Sequence, residues 1–151
     1  MSYINVSSPT SRAVLQLSTA SISTTSSGYV VPALQDITVN NQNQVFNWTQ
    51  LDSQSQKSVA TPATNSISGN FVLDSTAFFS GSNGVPGIFD LSADKDLVYF
   101  RVYFNGQASG AKYVSGQGYV TNLAMTVSPT APVWVSPLTI SVDGDLTAGT
   151  V

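Results

Sequence analysis

The chain contains no cysteine, no histidine and no glutamate, and only 9% of its 151 residues are charged. Without cysteine there is no disulfide framework, so stability must come from packing or from assembly. Without histidine and cysteine, most metal sites and most nucleophile–base pairs are excluded, including any serine triad. No apolar run approaches the roughly 18 residues of a membrane-spanning helix, and Met1-Ser2-Tyr3-Ile4-Asn5 lacks the basic stretch and apolar core of a secretory signal. Insertion into a membrane is therefore not expected.

What fills the gap is serine, threonine, asparagine and glutamine. These residues favour turns, caps and strands, whereas the Glu, Lys and Arg of helical surfaces are scarce. The composition predicts an all-β or mainly β fold. Length predicts a single domain over 1–151, with an N-terminal arm (1–11), a long loop (52–64) and a C-terminal tail (148–151). The net charge of −3 and pI near 4.3 make the surface a poor ligand for nucleic acid, though one past which it could slide without sticking.

Period-two alternation marks the strands. Ile67, Gly69, Phe71 and Leu73 share one face, as do Val98, Phe100, Val102 and Phe104, and Leu138, Ile140 and Val142. In Tyr113–Val127 the alternation sets Tyr119, Thr121, Leu123, Met125 and Val127 against Val120, Asn122, Ala124 and Thr126. Arg12–Leu17 reads as a first strand. Asp36–Val39 and Val45–Thr49 read as strands separated by an Asn/Gln break over Asn40–Gln44. Asn105-Gly106 and Asp143-Gly144-Asp145 read as turns, and Pro86–Ala93 as the short helix. Asp52–Thr64 is polar, carries Lys57 and Pro62, and reads as a long loop. The face of Tyr99, Arg101 and Tyr103 is too aromatic for solvent and calls for a second layer or a partner subunit.

Chemistry is sparse. Asp90, Asp94 and Asp96, and Asp143 with Asp145, lie close in sequence but lack the spacing of a calcium loop and read best as turn and cap residues. Ser80-Gly81-Ser82-Asn83-Gly84 lacks the lysine of a phosphate loop. No catalytic residue, metal ligand or cofactor is expected. Trp48 and Trp134, with Tyr99 and Tyr103, leave open an alternative as a monomeric carbohydrate-binding or virion-decorating sandwich.

The order of elements carries more. Ser66-Ile67-Ser68-Gly69-Asn70-Phe71-Val72-Leu73-Asp74, Gly116-Gln117-Gly118-Tyr119-Val120-Thr121-Asn122-Leu123 and a closing strand ending at Asp143-Gly144-Asp145-Leu146 together resemble the major tail (tail tube) proteins of tailed bacteriophages. The resemblance spans most of residues 12–147. It implies a mainly β, antiparallel sandwich or barrel-like subunit with one short flanking helix, a structural virion protein made in the host cytoplasm whose hexameric rings stack into the tube through which DNA is ejected. It further implies contacts with a tape measure protein and a tail terminator. In this reading the 52–64 loop, with Asp52, Lys57 and Pro62, bridges successive rings. Tyr99, Arg101 and Tyr103 lie at the subunit interface, and Asp36, Asp52 and Asp74 face the lumen.

Overall fold

A computed structural model describes Ile4 and residues 12–151. The N-terminal arm expected over 1–11 lies, apart from Ile4, outside the described residues. The strands are β1 (Val14–Ser18), β2 (Tyr29–Val30), β3 (Leu34–Thr49), β4 (Gln56–Val72), β5 (Val98–Tyr103), β6 (Lys112–Leu123), β7 (Thr126–Ser128), β8 (Ala131–Val142) and β9 (Thr147–Thr150). They form one sheet in the order β2-β1-β5-β6-β8-β4-β3, with β7 added to β8 and β9 to β6. Every pairing is antiparallel. The fold is mainly β, as the composition predicts.

The core is built from the alternating rows. Leu15 and Leu17 of β1 lie opposite Val102 and Phe100 of β5, and Ile67 of β4 lies opposite Ile140 of β8; all six are buried. The sheet curls, so that Leu15 of β1 and Leu34 and Ile37 of β3 line one small cavity. A single π-helical turn (Thr76–Ser80) and helix α1 (Ile88–Ala93) add Phe78, Ile88 and Leu91 to the same core. The Asp74 carboxylate caps the π turn, its Oδ1 accepting from the N–H groups of Thr76 and Ala77 at 3.0 Å each. The helix starts after Pro86, at an extended Gly87.

Two glycines of the sequence motifs are fixed by close approach. A Cβ on Gly69 would stand 2.4 Å from the Asp36 carbonyl oxygen, and one on Gly118 would stand 2.1 Å from that of Ser141. Both distances are impossible for a real side chain, so the strands pack this tightly only because these positions lack one.

Four expectations change. Asp52–Thr64 is not a loop: β4 begins at Gln56 and pairs with β3 from Gln56↔Thr49 to Phe71↔Leu34. Nor do Asn40–Gln44 break a strand, for they run inside β3 opposite residues 61–66. Cross-strand hydrogen bonding overrides the weak intrinsic strand preference of both polar stretches. The tail expected over 148–151 is largely β9, paired to β6 from Thr147↔Ser115 to Thr150↔Lys112. Finally, the core side of β6 carries Gly118 and Val120, while Tyr119 and Thr121 are exposed. A bulge between Val120 and Asn122 then resets the phase and turns Leu123 inward, where it packs on the core. Bulges shift which residues face which side, and a strict period of two cannot anticipate them.

Candidate assembly surfaces

The long β3–β4 hairpin is only half supported. β4 pairs with β8 from Ser66 to Val72 and no earlier. Beyond the root, residues 40–49 of β3 and 56–60 of β4 are all exposed. They form an arm about 30 Å long at the usual strand rise. Asn65 anchors its root: the buried side chain donates from Nδ2 to the Gly144 carbonyl at 3.2 Å and accepts at Oδ1 from the Gln42 N–H at 3.2 Å.

One face of the arm is apolar. Phe46 lies opposite Val59 and Trp48 opposite Lys57, so these four side chains share a face. The Phe46 and Trp48 rings stack with centroids 6.0 Å apart. Leu51 stands fully exposed at the tip. No residue of the arm beyond Asp52 and Lys57 is charged.

A second apolar surface lies at the other end of β4. Leu73 and Trp134 continue the core-facing rows of β4 and β8 past the point where the core ends, joined by the Leu73 N–H to Trp134 carbonyl bond of 2.9 Å. With Val72, Ser75, Phe79, Met125 and Val133 they line an open groove of about 450 Å³ with no charged side chain in its wall.

The face of Tyr99, Arg101 and Tyr103 is covered from within the same chain. Tyr103 is completely buried, and its hydroxyl donates to Oε1 of the equally buried Gln16 at 2.6 Å. The Gln16 amide donates in turn to the carbonyls of Thr24 and Ser27. Arg101 donates from a terminal guanidinium nitrogen to the Ile22 carbonyl at 2.6 Å and lies 4.3 Å over the Tyr113 ring. The segment of residues 19–28 is thus the second layer that this face requires, and Tyr103 is unavailable to a partner. Tyr99 is half-buried, beside Ser115, Gln117 and Thr147.

The three acids expected to share a surface do not lie together. Asp36 sits at the body end of β3, its carboxylate bound by the Asn70 backbone and side-chain N–H groups at 2.9–3.2 Å. Asp74 is the cap of the π turn. Asp52 is at the arm tip, about 40 Å from Asp36 along the strand. Among the described residues no group of three or more His, Cys, Asp or Glu comes together as a metal site. The two tryptophans are at opposite ends of β4 and cannot form one sugar-stacking platform with Tyr99 and the interior Tyr103.

Sequence reasoning missed the arm face and the groove. Their signal was present as Val45-Phe46-Asn47-Trp48 and Val133-Trp134, large apolar residues in otherwise polar surroundings. For the arm, what it lacked was the knowledge that residues 56–65 are a strand, which places Val59 and Lys57 beside Phe46 and Trp48.

No protein-family profile and no curated protein matches the sequence. Solved structures do match in three dimensions. A chain in the virion of a native gene transfer agent particle aligns over 80% of this chain and 88% of that one, at 17% identity and a TM-score of 0.57. A chain in the tail of an empty gene transfer agent particle, refined with C6 symmetry, aligns over 91% and 93%, at 15% identity and 0.61. The SPP1 tail tube, solved by solid-state NMR and cryo-EM, aligns over 95% and 79%, at 12% identity and 0.62. The fold of this chain is therefore the fold of the tail-tube subunit, found by structure where sequence comparison finds no relative.

Proposed function

We propose that this protein is a structural, non-enzymatic subunit of a virion tail tube, in which copies of the chain form stacked rings around a channel for DNA. The observation that carries the proposal is the arm. Some 20 exposed residues of hairpin, with a stacked aromatic pair and two strand edges that no described residue pairs with, are a hazard on a lone molecule. The same feature is at home between identical subunits, where neighbours cover both face and edges. The tail-tube fold of the body supports the same reading. The C6 symmetry of the gene transfer agent tail favours six subunits per ring. A net charge of −3 leaves passing DNA unattracted. Tape measure and tail terminator proteins would then meet this subunit only at the ends or the lumen of the tube.

Asp52, Lys57 and Pro62 belong to a two-stranded arm, so in this proposal the segment that bridges rings is the hairpin of residues 40–65 rather than a 52–64 loop. Removing residues 57–62 alone would strip the partner from β3. The proper deletion is symmetric, joining Gln42 to Thr64, which pair with each other, through an Asn-Gly turn. Negative-stain microscopy of the purified chain should show rings or tubes, and the arm-less chain should remain folded by circular dichroism without forming tubes. A wild-type chain that sediments as a monomer at every concentration would sink the proposal.

A further inference from the structure

The arm and the groove lie at opposite ends of one strand. β4 leaves the arm at Asn65 and reaches the groove at Val72 and Leu73, about 23 Å further along at the usual rise. The arm extends away from that end, so its apolar face cannot meet the groove of its own molecule. Each surface is suited to the other. The groove is apolar, and its volume of about 450 Å³ lies within the roughly 300–1,000 Å³ of clefts that enclose a compact apolar group. The arm offers the stacked Phe46–Trp48 pair and Leu51.

The charges agree as well. The acid between groove residues Leu73 and Ser75 is Asp74, and the only cation of the arm is Lys57, across the strand pair from Trp48. Tryptophan is the residue most enriched at binding hot spots. The chain has two, 37% and 52% exposed at Trp48 and Trp134, one on each surface.

We infer that the groove lined by Leu73, Phe79, Met125, Val133 and Trp134 is the docking site for the arm of another copy of this chain, which inserts Phe46 and Trp48 and sets Lys57 beside Asp74. The inference rests on the self-assembling role proposed above and names the contact by which it stacks. Because the joining surfaces differ, the contact is head-to-tail. Such a contact closes into a ring only where its rotation closes; with arm and groove at opposite ends of β4, this one is proposed to repeat as an open stack along β4.

The unaltered chain carries its own reporters, since one of its two tryptophans lies on the arm and the other in the groove. On assembly its emission should shift to the blue, and both tryptophans should lose quenching by acrylamide. A mixing experiment tests the pairing itself. The arm-less chain keeps its groove, and a Val133→Asp chain keeps its arm; each is first shown to be folded by circular dichroism. Neither should elongate alone, and an equimolar mixture should yield paired units that stop there. If wild-type tubes form while the tryptophans remain as quenchable as in dissociated subunits, or if the mixture yields no pairs, the inference is overturned and the tube reading stands. If the wild-type chain never assembles, the tube reading itself has failed.

Discussion

Replacing Tyr103 by phenylalanine tests whether the β5 outer face belongs to the inside of the subunit or to its interface. In the structure Tyr103 and Gln16 are both fully buried, and the phenol donates to the Gln16 side-chain oxygen at 2.6 Å. Removing the hydroxyl leaves that oxygen dry and without a donor, while Gln16 still holds the Thr24 and Ser27 carbonyls through its amide. An unsatisfied buried acceptor costs about 1–3 kcal/mol. The ring and its contact with Tyr113, at 5.6 Å between centroids, are retained, so no cavity term of the size of a lost side chain is added. With a urea slope of about 2 kcal/mol per M, a loss near 2 kcal/mol moves the midpoint down by about 1 M. For a chain of this length it lowers Tm by roughly 4–8 °C. The assay is urea unfolding of the arm-less subunit, which keeps assembly from contributing. Unchanged stability in Tyr103→Phe, together with lost tube formation in the full chain, would refute the reasoning and return Tyr103 to the interface.

Gly118→Ala should destabilise by about 3 kcal/mol or more through the clash of its Cβ with the Ser141 carbonyl, read as a fall in Tm; Gly144→Ala, with open space around it but a φ of 92°, should cost less. Tyr29 donates its hydroxyl to the Pro86 carbonyl at 3.1 Å, and burial raises its pKa well above the ordinary tyrosine value. The unfolded chain ionises first, so this contribution is whole below about pH 10 and declines as pH rises beyond it. Tyr29→Phe should therefore flatten the alkaline limb of a stability–pH curve while costing about 1 kcal/mol at neutral pH; an unchanged limb would count against the burial argument. Asp74→Ala removes the cap of the π turn and should cost about 1 kcal/mol in the arm-less subunit, whereas Asp52→Ala at the arm tip should leave its parent's unfolding midpoint unchanged.

The rows Ile67-Gly69-Phe71, Val98-Phe100-Val102 and Leu138-Ile140-Val142 were legible because each keeps one phase from end to end, and their burial follows the pattern. The helix was legible from Pro86, two residues before it starts. β6 was misread for a local reason: one extra residue at Thr121 changes the phase, and nothing in the identity of the residue announces it. The Tyr99-Arg101-Tyr103 face was correctly seen as needing cover. That the cover is the segment 19–28 depends on backbone carbonyls, which every sequence has and none displays. The candidate site was the least legible part. Residues 56–65 carry the composition of a loop, and their strand character comes from β3 alone.

That misreading has a physical source which bears on function. Exposed edge strands usually guard themselves with lysine, proline or inward charge. β3 runs from Leu34 to Thr49, pairs among the described residues with β4 alone, and holds a single charged residue, Asp36, with no lysine and no proline. An edge of 16 residues left so unguarded would pair with other chains indiscriminately if selection favoured a monomer. Its asparagines and glutamines neither repel a copy nor demand bulk water, since their amides can donate and accept across a subunit boundary. The composition that makes residues 40–65 look like loop is thus the composition suited to a strand pair buried between identical neighbours. A direct consequence is that charge placed on this edge should act on assembly and not on folding. Thr38→Lys and Asn47→Lys, both exposed, should leave the unfolding midpoint of the dissociated subunit within about 0.5 kcal/mol of wild type while suppressing tubes under the microscope. Normal tubes from the doubly substituted chain would mean that the β3 edge faces solvent in the assembly, and the unguarded edge would then need another explanation.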